Sequence, residues 1–281
     1  MNCDLHIHSN YSTGNQSLEE IITEALSKDI QLISITDDDS MEAYYELPDL
    51  ALKMGIFYIK GVQVSASKDG QIFRLLAYGY ASEHEELSKL LQINRKMWDI
   101  YGEKIITYMT DYYPELSIDG YRQHKKDTSY GGFKYNSYLN SLGLDGTDSG
   151  VVLFFKKHIE DIKKMVQQMP FTPVEDVIRI IHDAGGRAIV PGGYLRNPDT
   201  FAVELDSLMK LGVDGLEVYS ASYDEDMSVA VRKYAVKYNL LITGGGDGHG
   251  SWASQDKYAI GIKDVEISEL QLGDMKIYPE G

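Results

Sequence analysis

At 281 residues the chain can bury a substantial core, as one large α/β barrel or as two small domains. Its formal net charge of -16 argues against non-specific binding to a nucleic acid polymer or an anionic membrane surface, though not against an anionic ligand held in a cleft. Cys3 is the only cysteine, which excludes an internal disulfide, and with no leader-like segment and no long apolar run the expected location is the cytoplasm.

Residues 3–8 read as a strand. Ser17-Leu18-Glu19-Glu20 is a capping-box pattern opening a helix to about residue 27. A second strand over 30–36 runs into Asp37-Asp38-Asp39-Ser40 and a helix to about 54. Strands over 56–65 and 71–80 flank Lys68-Asp69-Gly70, which predicts a hairpin. Residues 83–113 form a long polar helix, and from there to about 149 the chain is irregular and rich in Gly, Tyr, Lys and Asp. Thr172-Pro173 then opens a helix that ends at Ala184-Gly185-Gly186. Strands over 187–190, 215–219 and 240–243 alternate with helices over 199–211 and 223–238. This alternation favours a parallel α/β architecture, and a barrel fits the length. The expected division is a first barrel segment over 1–94, a helical insertion or lid over 95–165, and a second barrel segment over 166–281.

The two ends of the chain carry the chemistry. His6 and His8 are two residues apart on a strand and point to one face. Asp247 and His249 do likewise if strand geometry continues past Gly244-Gly245-Gly246. Two imidazoles with a carboxylate suit zinc, manganese or iron. In a barrel, His6, His8, Asp37 to Asp39, Gln63, Gly192, Gly193, Glu217, Tyr219, Asp247 and His249 all fall at or just past strand carboxyl ends, where barrel active sites lie. Plainer readings exist for several of them. The Asp37 to Asp39 run is otherwise an acidic loop and helix cap, Arg74 an ordinary strand arginine, and Glu217 with Tyr219 a satisfied polar pair. The tyrosines of the insertion read as packing of a polar lid or an oligomer interface.

The ordered set Asp4-Leu5-His6-Ile7-His8-Ser9, Ile35-Thr36-Asp37-Asp38-Asp39-Ser40, Gly61-Val62-Gln63-Val64-Ser65-Ala66, Gly185 to Val190, Gly215 to Ser220 and Thr243 to Gly250 resembles the polymerase and histidinol phosphatase (PHP) family. The resemblance implies a distorted seven-stranded α/β barrel, a cluster of up to three divalent metals and hydrolysis of phosphate esters. It also exposes departures. The family has a histidine where this chain has Asp38, a bridging glutamate at Gln63, histidines near Arg74 and at about Gly192, and often an aspartate where Thr13 stands.

Those departures reduce the site. Gln63 offers a neutral carbonyl oxygen but no charge to offset repulsion between two cations. Arg74 places a fixed positive charge where a second metal would sit. One divalent ion is therefore expected, on His6, His8 and Asp247 with Gln63 or water, and His249 and Asp38 are the candidates for proton transfer. Arg74 and Arg196 are the candidates for holding a phosphoryl group. The expected ligand is a small phosphorylated metabolite or inorganic phosphate. The alternatives are a degenerate member that binds such a ligand, or a partner, without turnover, and a carbon–nitrogen hydrolase on a related barrel.

Overall fold

The computed structural model describes residues 1–144, 155–167, 169–195, 200–251, 259–261 and 265–279. In chain order its elements are β1 (Asn2–Ile7), α1 (Leu18–Ser27), β2 (Ile30–Ile35), α2 (Leu47–Met54), β3 (Phe57–Tyr58), β4 (Gly61–Lys68), β5 (Gln71–Tyr78), α3 (Glu85–Met109), α4 (Ile118–Gln123), α5 (Lys134–Ser141), α6 (Ile159–Gln167), α7 (Val174–Asp183), β6 (Arg187–Val190), α8 (Phe201–Lys210), β7 (Gly215–Ser220), α9 (Glu225–Lys237), β8 (Leu241–Gly245) and β9 (Val265–Glu266).

Local chemistry accounts for the boundaries. The Ser17 side chain accepts from the Glu20 amide, and Glu20 accepts in return from the Ser17 backbone, which satisfies two amides that α1 leaves unpaired. Asp69 and Gly70 adopt φ of 53° and 72°, the left-handed pair that a two-residue hairpin needs between β4 and β5. The strand expected over 56–65 is split in two. The chain leaves β2 after Tyr58 and joins β5 from Gly61, where the Tyr44 hydroxyl accepts the Gly61 amide at 2.7 Å. Any side chain at Gly61 would meet Ser34 Oγ at 2.3 Å, so the crossing requires glycine.

Strand pairing forms two mixed sheets, ordered β3-β2-β1-β9 and β4-β5-β6-β7-β8. The α/β class is the expected one, but among the described residues the strands pair as two mixed sheets and not as the closed parallel barrel that the alternation favours. The hairpin makes β5 antiparallel to both its neighbours, and β9 runs antiparallel to β1. The sheets meet along two narrow backbone seams. At one, His8 N–H donates to the Gly248 carbonyl at 2.7 Å and Gly248 N–H to His6 at 3.0 Å. At the other, Asp39 N–H donates to Gln63 at 2.8 Å and Gln63 N–H to Asp37 at 3.2 Å.

Between the sheets lies an apolar layer including Leu5, Leu32, Leu76, Tyr78 and Ile189. Separate apolar clusters hold α1 and α2 against the first sheet, and α7, α8 and α9 against the second. The stretch expected to be irregular contains α4 and α5, which pack with α3 around their own cluster including Trp98, Ile105, Met109 and Tyr138. The first turns of α3, through Leu87, Leu90 and Leu91, pack on the second sheet, and its later turns organise this added helical layer.

Candidate metal site at the seam of the two sheets

His6 and His8 leave β1 side by side, with Nε2 atoms 3.3 Å apart and side chains 4% and 0% exposed. Asp247 arrives from beyond β8. Strand geometry does not carry it there: its φ is 53°, a left-handed turn that costs a non-glycine residue about 1 kcal/mol or more and aims the carboxylate back at β1. Its Oδ1 lies 3.2 Å from His6 Nε2, 3.3 Å from His8 Nε2 and 3.2 Å from His249 Nε2.

The far side of each ring faces an oxygen. His6 Nδ1 lies 2.8 Å from Glu217 Oε1, His249 Nδ1 3.2 Å from Thr13 Oγ1, and His8 Nδ1 a looser 3.6 Å from Asp38 Oδ2. Thr13 spends its own proton on Asp38 at 2.6 Å, so its oxygen can only accept from His249. Placing hydrogens on the Nδ1 atoms turns the Nε2 lone pairs inward toward one carboxylate oxygen, an arrangement that a cation would satisfy. A tetrahedral ion with bonds of about 2.0–2.1 Å separates its ligand atoms by about 3.3–3.4 Å, close to the spacing of His6, His8 and Asp247. The residues therefore fit a divalent transition metal.

Without an ion, a proton takes its place. Burial alone would lower His6, but Glu217 and Asp247 outweigh it and push the ring up to about 9. Burial and the neighbouring His249 push His8 down to about 4. Burial opposes ionisation of Asp247 too, yet His6, His249 and His8 hold its carboxyl well below the usual range.

The three consecutive aspartates divide three tasks. Asp37 accepts from Ser9 N–H, Ser9 Oγ and Ser12 Oγ and ties down the loop after β1. Asp39 accepts from Ser65 N–H and Oγ, Asn94 Nδ2 and Trp98 Nε1, joining β4 to α3. Of the three, Asp38 is the one whose carboxylate meets His8, Thr13 and Arg74, beside Gln63 at the second seam. Burial opposes its charge, but Arg74 and His8 outweigh burial and keep the carboxyl below its ordinary value.

Gln63 Nε2 lies 3.2 Å from both His6 Nε2 and His8 Nε2, so its amide borders the proposed ligand set. Arg74 stands opposite Ser65 on β5, with Nε 3.5 Å from Asp38 Oδ1. Arg196 lies outside the described residues. His6, Gln63, Arg74, Glu217 and Asp247 line a cavity of about 530 Å³ whose far wall includes Trp98, Tyr101, Phe133 and Tyr135.

Two residues outside the expected site set prove integral. Glu217 links His6 to the Gly192 amide, whose N–H donates to Oε2 at 2.7 Å. Its place on the strand expected over 215–219 was the only sequence signal. At Gly192 a Cβ would meet Ser220 Cβ at 2.2 Å, so no ligating side chain fits there. Thr13, noted only as a replacement for an aspartate, joins Asp38 to His249.

The chain is similar to several known proteins. The chain is 24% identical to a 5'-3' exoribonuclease of Haemophilus influenzae, over 88% of this chain and 89% of that one. It is 22% identical to a phosphoribosyl 1,2-cyclic phosphate 1,2-diphosphodiesterase of Eggerthella lenta, covering 89% and 94%. It is 23% identical to a 3',5'-nucleoside bisphosphate phosphatase of Chromobacterium violaceum, covering 88% and 87%. Among solved structures, a Bifidobacterium adolescentis protein assigned to the metal-dependent phosphoesterases superposes with a TM-score of 0.75 at 19% identity, covering 95% of this chain and 93% of that one. An amidohydrolase from Chromobacterium violaceum, with bound sulfate and no metal, superposes with a TM-score of 0.67 at 21% identity, covering 89% and 88%. The sequence profile of the PHP domain matches residues 4–169, more than half of the chain, and the chain belongs to the PHP domain family.

Proposed function

We propose that this protein hydrolyses a phosphate ester of a small metabolite, a nucleotide or a sugar phosphate, at a mononuclear metal site. The observation that carries the reading is the convergence of His6, His8 and Asp247 beside a fixed arginine cation. These three residues would hold the ion, with the Gln63 amide alongside. A bound divalent ion supplies Lewis acidity, which activates water near neutral pH and offsets phosphate charge. The two seams support reading the site as the mouth of a distorted seven-stranded barrel.

The chain's own groups do the rest. Arg74 holds phosphoryl oxygens and takes the place of a second cation. Arg196 is the second candidate for that contact. His249 handles a proton at Nε2, oriented from behind by Thr13, and Asp38 keeps both Arg74 and Thr13 in place. The named activities of the Eggerthella and Chromobacterium relatives support ester hydrolysis on small phosphorylated substrates. The name of the Haemophilus relative makes an oligonucleotide end the competing substrate, which the net charge of -16 disfavours.

A second reading is a binder without turnover. It is favoured by Asp38, Gln63 and Arg74 standing where the family has metal ligands. The deciding experiment is a hydrolysis screen with added manganese, iron or zinc over nucleotides, nucleoside bisphosphates, sugar phosphates, cyclic phosphates and a short oligoribonucleotide. Turnover of a small ester that disappears in Asp247→Ala is the expected result. Tight phosphate binding with no turnover of any substrate selects the second reading.

A further inference from the structure

We infer that Trp98 is a positioning residue: anchored by Asp39, its indole presets the Arg74 guanidinium for a phosphate group. Asp38 and Asp39 thereby fix one arginine from two sides. The inference rests on the assignment of Arg74 as a phosphate contact.

The indole of Trp98 cannot drift. Its Nε1 donates to Asp39 Oδ2 at 3.0 Å and approaches Ser65 Oγ at 3.2 Å. Phe133 stacks on it at 4.2 Å between ring centroids and 17° between planes, and Tyr101 meets it edge-on at 5.7 Å. The side chain is 8% exposed. The guanidinium carbon of Arg74 sits 5.2 Å from the centre of the same ring.

Arg74 is held from its other end as well. Its Nε faces Asp38 Oδ1 at 3.5 Å, and neither atom has a hydrogen-bond partner among the described residues. The long ion pair orients the arginine without occupying its terminal nitrogens. Ser65 closes the frame, pairing with Arg74 across the hairpin while donating to Asp39. A guanidinium lying over an aromatic ring and facing a carboxylate has lost most of its rotamer freedom before ligand arrives. That entropy is normally surrendered on binding, so a preset arginine binds phosphate more tightly than a free one. Lysine in its place has no plane to stack.

The test is a double-mutant cycle on the zinc-loaded protein, with inorganic phosphate as the probe and calorimetric affinity as the readout. Trp98→Leu is expected to weaken phosphate binding about 5-fold to 10-fold when Arg74 is present, and less than about 2-fold in the Arg74→Met background. Equal losses in both backgrounds would mean that Trp98 acts on the cavity generally, and would overturn the inference. If Trp98→Leu does not fold, Trp98→Phe carries the test. It keeps a ring but loses the bond to Asp39, so an Arg74-dependent loss of about 3-fold supports the anchor and an Arg74-independent one removes it. Unchanged phosphate affinity in Arg74→Met would overturn both this inference and the arginine assignment. An intact cycle in a protein that hydrolyses nothing would remove only the hydrolytic reading.

Discussion

The imidazole of His249 lies flat against that of His8, with ring centroids 4.2 Å apart and planes 2° from parallel. Residues from opposite ends of the chain reach this contact because Gly248 pairs with the backbone of both His6 and His8. Burial first, and His249 beside it, hold the His8 ring below its ordinary value.

Among the described residues, Asp247 is the one carboxylate whose oxygen approaches His6, His8 and His249 alike. Replacing it with alanine removes the charge that offsets a bound cation. Protein purified without chelator is expected to carry about one transition metal ion per chain, and Asp247→Ala to lose at least about 100-fold in affinity. Elemental analysis and metal titration check this. A variant that keeps the full metal content would place the ion elsewhere.

Glu217 fixes the tautomer of His6 and holds the Gly192 amide with its second oxygen. Glutamine can accept with only one end, and its amide would oppose either the His6 Nδ1–H or the Gly192 N–H. Glu217→Gln is expected to weaken metal binding about 10-fold to 100-fold with little loss of fold stability. Paired metal titrations and thermal melts separate the two effects.

The pH dependence follows from His6. Burial would lower its pKa, but Glu217 and Asp247 raise it to about 9, above its ordinary value of 6.5. Its stabilising contribution in the metal-free protein is complete below pH 6.5 and disappears as pH rises through about 9. The expected loss is on the order of 1–3 kcal/mol, read from urea unfolding with chelator at pH 6.5 and 9. On the acid side the effects oppose. His8, lowered to about 4, loses its contribution as pH falls from 6.5, while Asp37 and Asp39, raised by burial to about 6, gain theirs. Metal must displace the His6 proton, so affinity should rise up to about tenfold per pH unit between roughly 7 and 9. A pH-independent affinity over that interval would contradict the proton's place on His6.

The Asp39 carboxylate accepts four hydrogen bonds and has no proton to donate at pH 7. An asparagine would turn an NH2 group against donors from Ser65, Asn94 or Trp98. Asp39→Asn is expected to cost about 2 kcal/mol, measured by chemical denaturation at pH 7. A neutral result would show that the network relaxes around the amide.

Much of the architecture was legible from pattern. The capping box at Ser17, the turn at Asp69-Gly70 and the strand–helix alternation are local signals, because capping and turn geometry depend on residues a few positions apart. The His6 and His8 pair was legible for the same reason. The split of residues 56–65 was not, since it depends on Tyr44 and on the space left by Ser34.

The aspartate run shows the limit most clearly. Asp37, Asp38 and Asp39 are chemically identical in sequence, and their partners Ser9, Arg74, Ser65 and Trp98 lie between 26 and 59 residues away or across a strand pair. From residue types and spacing alone, the chain reads as an α/β protein with candidate site pairs at its two ends, His6 with His8 and Asp247 with His249. The folded structure alone gives Asp37 and Asp39 their bracing partners, turns Asp247 back with a left-handed backbone and sets Glu217 behind His6. Periodicity encodes the direction of a side chain along its own strand. Which distant group it meets is decided by the packing of whole sheets.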